Sequence, residues 1–451
     1  MAKDAIFELY NGKKVTFFKD GKIIMQDNKE NGEDKIKLKK EDVFQLSSYF
    51  LNARICNKTP LISEILFRNP NIQAVYFDPN KQISISAGLS HALLIDGLGD
   101  NIYAWGLNTW GQLGCNTAKN ISTPTKMNER FMPNEGRVKK VSVGLQHSLL
   151  INSQGDVYAW GDNYEGQLGD NSKKNRDTVV QVSLKKVANG KKISSVTAGY
   201  WHSLAIDVSG KIYGWGSNDS YQISDKTNPK SILFPVDISS ETVMSSKNII
   251  SISAGCRHSL ALDSSGAVYV WGQNNYAQIG NGEIGLYSPP TQVKGELDGK
   301  KIVFIKGRFN HSLALDFEGR VYSWGQNDSG QLGHTQENLI TPTQIKGILA
   351  EKNIVSIDSG YSHTIALDSE GKVYSWGDNG WGQLGNGSFL NEDFPIQVEG
   401  VLTEENIVSI SAGHNYSFAI NSEGEVYTWG KILGSEEAPA LNKIPTKIKT
   451  P

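Results

Sequence analysis

Six of the eight histidines in this chain occupy one position of a recurring pattern, and a set of imidazoles in register is the most chemically suggestive feature of the sequence. His91, His147, His202, His258 and His363 each follow a Gly–x–x step, and His311 follows the same step with Arg308 in place of the Gly. All six lead into a small residue and an apolar run. Imidazole is a common zinc ligand and the usual general acid or base near neutral pH. Zinc, however, needs its ligands within about 2.0–2.3 Å of one centre. Equivalent residues of a repeat are spread along an array, so these histidines are expected to satisfy loop backbone groups at strand ends. Tyr416 takes the seventh such place, which leaves His414 as a freer surface candidate.

The other constellations that carry covalent chemistry are missing. The chain has no phosphate-binding loop, no metal-ligand spacing and no nucleophile elbow. Its three cysteines, Cys56, Cys115 and Cys256, are too few for a disulfide framework. The expectation is therefore a chain that is not an enzyme and that uses no cofactor and no metal.

The elements that carry the histidines repeat with a fixed period. Trp–Gly pairs fall at Trp105, Trp160, Trp215, Trp271, Trp324, Trp376 and Trp429, at spacings of 55, 55, 56, 53, 52 and 53 residues. Each unit reads as four short strands: an apolar run before the Gly, the His-led run, a Val–Tyr–x–Trp strand after a Gly turn, and a run announced by proline, as in Pro290–Val293. Proline cannot donate to a ladder and so suits an edge or a strand start. Seven such units predict an all-β fold, a seven-bladed β-propeller of four-stranded antiparallel blades over residues 83–451. In Val157–Trp160, Tyr and Trp share one face and the small residues share the other, so the seven Trp are expected to be core residues filling the gaps between blades. Ring closure is expected from the C-terminal strand, Pro445–Ile448, joining the blade of the first repeat, with residues 70–77 as the rival.

Residues 1–82 form a separate N-terminal β/α segment in this reading, a docking unit or a lead-in. Asn11-Gly12 and Asp20-Gly21 separate three apolar-rich runs and predict a three-stranded meander. Short helices are expected from Asp42 to Asn52 and from Leu61 to Phe67, followed by a strand over Ile72–Phe77. This segment holds 14 Lys/Arg against 11 Asp/Glu, and the whole chain carries a net charge of −2. Such a balance argues against nucleic acid as a partner. No apolar run approaches the roughly 20 residues of a membrane span. An intracellular place is expected, cytoplasmic rather than nuclear.

The repeat resembles the regulator-of-chromosome-condensation (RCC1-like) family of seven-bladed propellers. The resemblance rests on Ile85–His91, Gly199-Tyr200-Trp201-His202, Gly360-Tyr361-Ser362-His363 and tails such as Gln331-Leu332-Gly333, and it covers most of the chain. It implies one of several roles: exchange factor for the small GTPase Ran, photoreceptor, ubiquitin-ligase module, ciliary scaffold or GTPase-binding adaptor. Ran exchange factors of the family use acidic residues in the loop between Gly and His. Here the seven pairs in that loop contain no Asp or Glu, and the wedge hairpin of those factors has no match after Trp215-Gly216. The photoreceptor branch carries repeated Trp–Arg pairs, whereas this chain offers Trp201 and Arg257 in different repeats.

What these loops do supply is aromatic and basic. Tyr200, Trp201, Arg257, Arg308, Phe309, Tyr361 and His414 come from five consecutive repeats, and Tyr, Trp and Arg are the usual anchors of protein interfaces. Trp110 and Trp381 in the tails are a second candidate set. The expected function is a protein-interaction scaffold or adaptor propeller whose partner is a small GTPase or a larger assembly. The alternative is guanine-nucleotide exchange on a Ran-like GTPase.

Overall fold

The alternating faces of the Val–Tyr–x–Trp strands dictate how the repeats stack. In the computed structural model of the protein, the described residues are 83–449 apart from 98, 129–135, 225–229, 241, 336 and 432–440, together with the backbone of three strands nearer the N-terminus. Met1–Gln82 and Ile83–Pro451 are two separate compact units. In the first, β1 (Ala5–Glu8), β2 (Lys14–Phe17) and β3 (Ile23–Gln26) pair antiparallel in the order β1-β2-β3, which is the expected meander. The helices expected at 42–52 and 61–67 and the strand at 72–77 lie outside the described residues.

The second unit holds seven four-stranded antiparallel sheets, each a meander of consecutive strands. The first strand of each sheet is innermost. These strands are Ser84–Ala87, Val138–Val143, Ile193–Ala198, Ile249–Ala254, Ile302–Arg308, Ile354–Ser359 and Ile407–Ala412, and successive ones lie against each other round the ring. Ile407–Ala412 meets Ser84–Ala87, which closes it. The result is a seven-bladed propeller.

Seven apolar clusters fill the seven gaps between blades. In the gap between blades 2 and 3, Val157 and Ala159 of one blade meet Tyr213 and Trp215 of the next, so the small face of each sheet receives the aromatic face of its neighbour. All seven repeat tryptophans are at most 3% exposed. At about 25 cal/mol per Å² of apolar surface, such gap-filling rings dominate the cohesion of the ring.

Closure differs from the expectation. The C-terminal strand, Leu441–Ile448, pairs with Val426–Lys431 of its own repeat and completes blade 7, not blade 1. Every blade is thus built from one repeat, and the ring shuts without a shared strand, through packed side chains and the loop bond from His414 N to Gly88 O. Trp105, Ala92 and Leu94 of blade 1 pack on Tyr416, Phe418 and Ile420 of blade 7. The prolines of the outer strands also sit inside the strands and not at their starts. Pro445 falls where the register shifts between Thr428 and Gly430, a bulge that needs no N–H from it.

Candidate partner-binding face

The repeat histidines tie blade to blade. Each is fully buried, and its Nε2 meets the hydroxyl that follows the histidine of the next blade: Ser148 at 2.9 Å from His91, Ser203 at 3.0 Å from His147, Ser259 at 3.0 Å from His202 and Ser312 at 3.0 Å from His258. His363 reaches Ser417 at 2.9 Å, and His311 reaches Thr364 at a longer 3.4 Å. These hydroxyls donate onward to the backbone carbonyl of the Gln in the preceding blade's tail, as Ser312 does to Gln278 O at 2.9 Å. A hydroxyl has one proton to give, so the imidazole donates from Nε2. Nδ1 has no acceptor among the described residues, and burial keeps the ring neutral. Burial holds His258 down to about 3, and neighbouring His202 and His311 push the same way. The glycine three residues before the histidine makes room for the ring: a Cβ on Gly255 would stand 2.2 Å from His258 Cε1. In blade 7 Tyr416 replaces the imidazole, and its single hydroxyl proton is shared across the closing gap between Gly88 O at 2.9 Å and His91 O at 3.0 Å.

This clasp fixes the two-residue loops between Gly and His, and backbone bonds then link the loops to one another. Tyr200 N donates to Gly255 O, Cys256 N to Phe309 O, Tyr361 N to His414 O and His414 N to Gly88 O, at 2.9–3.2 Å. The loops therefore form a rigid platform at one end of the ring.

On that platform the aromatic candidates make one continuous arc. Trp201 and Tyr200 meet edge-on at 5.7 Å between centroids, Tyr200 and Phe309 lie 5.9 Å apart, Phe309 and Tyr361 stack at 3.7 Å, and Tyr361 and His414 lie 4.2 Å apart. Arg257 sits over the Trp201 ring at 5.1 Å and pairs with Asp219 at 2.7 Å. Tyr200 is only 5% exposed and supports the arc from beneath, while Trp201, Arg257, Phe309, Tyr361 and His414 are half-buried. Burial, assisted by Arg308 and Lys431, lowers His414 to about 4, so its ring joins the arc uncharged. Burial also pushes the Cys256 thiol up to about 12, which leaves it unreactive.

Arg308 behaves differently from the other six. It is 6% exposed, and its guanidinium crosses from blade 5 to donate from Nη2 to Ala87 O of blade 1 at 3.1 Å. A tight turn at Phe309, whose φ is +40°, lets Arg308 pair with His311 where the other repeats have glycine. It lies at the axis, inside the arc.

Two contributors escaped the sequence reading. Asp219 supplies the face with a carboxylate from the tail of blade 3, and Lys431 lies over the Trp381 ring at 4.9 Å. Both come from the connection after Trp–Gly, which reaches the same end of the blade as the Gly–x–x–His loop. Trp110, in the corresponding tail of blade 1, is 41% exposed.

A closed ring whose one end carries a preorganised aromatic and arginine platform is a protein-interaction propeller. The chain belongs to the RCC1-like family: the RCC1-like domain matches residues 63–357, and the regulator of chromosome condensation (RCC1) repeat matches residues 354–383 and 370–420. It is similar to the ultraviolet-B receptor UVR8 of Arabidopsis thaliana, at 29% identity over 355 residues, 78% of each chain. It is also similar to the human E3 ubiquitin-protein ligase HERC2, at 30% identity over 375 residues, 81% of this chain but 7% of the ligase. Among solved structures it shares the fold of Prp20p from Saccharomyces cerevisiae, described with its binding to Gsp1p and histones (24% identity, TM-score 0.67, 82% of this chain and 88% of that one). The yeast RCC1 (Prp20) solved with Kap60 gives a TM-score of 0.66 at 21% identity, over 85% and 90% of the two chains.

These likenesses correct two expectations. The exclusion of enzyme activity does not stand, because the fold is shared with yeast RCC1, the branch to which the resemblance assigns exchange on Ran. Catalytic constellations were the wrong test: nucleotide exchange makes and breaks no covalent bond, so a binding face suffices for it. The preference for cytoplasm over nucleus does not stand either, since proteins that share the fold are described with histones, in the case of Prp20p, and with Kap60, in the case of yeast RCC1. Whole-chain charge carries no such address. Among the described residues, no helix is long and apolar enough to cross a membrane.

Proposed function

We propose that the propeller captures a small GTPase on its aromatic face and promotes release of the bound guanine nucleotide. The observation that carries this reading is the arc from Trp201 to His414, held by loop-to-loop backbone bonds so that little ordering is needed on binding. Support for a GTPase as the client comes from the fold shared with Prp20p, which is described with its binding to Gsp1p. Exchange then consists in holding the nucleotide-free partner more tightly than the loaded one, which is all that accelerated release requires thermodynamically. Immobilised full chain challenged with a panel of small GTPases tests it, each offered nucleotide-free and nucleotide-loaded. Preferential retention of a nucleotide-free GTPase is expected, and no retention of any in either state would overturn the proposal.

A second reading, capture without exchange, draws on the seven two-residue loop pairs, which contain no carboxylate. Under it the face would hold loaded and nucleotide-free partner equally.

A further inference from the structure

We propose that the axial channel of the propeller is a binding site for a compact polyanion of linked phosphate groups, held between Arg308 at the mouth and Lys140 deeper along the axis. The inner strands form the channel wall, and their charges are lopsided. They carry Lys139, Lys140, Lys306 and Arg308 against one carboxylate, Asp358. Lys306 takes that carboxylate at 2.6 Å.

Lys139 donates to Ser194 O at 3.0 Å, and the two cations that mark the ends of the site have neutral contacts. Lys140 Nζ lies 2.9 Å from Ser195 Oγ, and among the described residues Arg308 donates only to Ala87 O. Arg308 is more than nine-tenths buried, its Nε has no hydrogen-bond partner, and it forms no ion pair among the described residues. A buried guanidinium in that state has donors left for an anion and a desolvation cost that an anion would offset. Lys140 is exposed but closely surrounded by protein, and the resulting desolvation, with repulsion from Lys306 and Lys139, lowers its ammonium to about 8. That repulsion is the field an anion would relieve.

The spacing selects the ligand class. Arg308 occupies the repeat position held by Gly144 in blade 2, and Lys140 lies four residues before Gly144. At about 3.3 Å per residue that is about 13 Å of strand, which two flexible side chains can narrow but one phosphate cannot bridge. Between the two levels stand hydroxyls that accept a backbone N–H from the next blade: Ser86 from Val143 N, Ser142 from Ala198 N and Ser253 from Gly307 N. Each keeps its own proton to donate to phosphate oxygen. The site is independent of the aromatic arc, to which Lys140 does not belong.

Calorimetric titration of the full chain with inorganic tripolyphosphate, against sulfate at matched ionic strength, tests the proposal. One saturable site is expected, with a raised thermal midpoint and binding weakened at least tenfold in Arg308→Gln and in Lys140→Gln. Arg308 is buried and its variant could misfold. Lys140→Gln has the safer position, and its ligand-free thermal midpoint and GTPase capture should match the unsubstituted chain. Tripolyphosphate binding no stronger than sulfate binding, or unchanged in Lys140→Gln, would overturn the proposal.

Discussion

The rings of Phe309 and Tyr361, from blades 5 and 6, stack at 3.7 Å between centroids and 26° from parallel. Two aromatic side chains from adjacent blades thus form one surface, which continues to His414 of blade 7 on one side and, past blade 4, to Tyr200 and Trp201 of blade 3 on the other. Partner binding should therefore respond to the arc as a unit.

Trp201→Ala and Tyr361→Ala, which remove half-buried rings from the platform, are each expected to cost about 2 kcal/mol of partner binding, roughly 30-fold in Kd. Their effects should be non-additive because Tyr200 and Phe309 couple them. Surface plasmon resonance with the captured GTPase reads the affinities, and circular dichroism of the free variants should show an unchanged fold.

The His–hydroxyl clasp predicts a graded stability series. Ser312→Ala leaves both His258 Nε2 and Gln278 O with a lost partner in a buried site, a destabilisation of about 1–3 kcal/mol. Ser312→Thr should cost less, because blade 6 already uses Thr364 at the equivalent place. Urea unfolding of the two variants checks the order.

Acid should open the ring. Burial lowers each of the six repeat histidines from 6.5 to about 3 in the folded chain. The unfolded chain then binds the extra protons below pH 6.5, so stability is fully present above 6.5 and lost as pH falls toward 3. At pH 5 each histidine withdraws about 2 kcal/mol. Six together withdraw about 12 kcal/mol, comparable with the roughly 5–15 kcal/mol of an ordinary domain. Tryptophan fluorescence should show cooperative unfolding between pH 6.5 and 5, and a flat profile to pH 4 would contradict neutral buried imidazoles.

Closure without a shared strand makes Tyr416 the most telling residue of the last gap. Tyr416→Phe keeps the ring that packs against Phe418 and removes the donor to Gly88 O and His91 O, at a cost of about 1 kcal/mol. Deleting 441–451 strips the outer strand from Val426–Lys431 and should lower the thermal midpoint further. Differential scanning calorimetry distinguishes the two.

The repeat made the fold readable, since a fixed Trp–Gly period with alternating faces admits few other architectures. It also placed the seven loop candidates on consecutive blades, which is why most of them turned out to be neighbours. The hydroxyl partner of each histidine was within reach, as Ser or Thr follows His in five repeats and Tyr416 in the seventh. Closure was not legible, because a periodic sequence does not say where one blade ends and the next begins. Nor was the course of Arg308: its contact with Ala87 O spans 221 residues of chain and depends on the ring being shut. Asp219 was hidden for a similar reason, its partner Arg257 lying in the next blade.

The most direct test of the central claim is stopped-flow release of a fluorescent guanine nucleotide from the GTPase that the full chain retains, with and without the propeller. The account predicts accelerated release that saturates with propeller concentration and is lost in the Trp201→Ala, Tyr361→Ala double variant. Release at the intrinsic rate despite demonstrated binding, or acceleration undiminished in that variant, would contradict it.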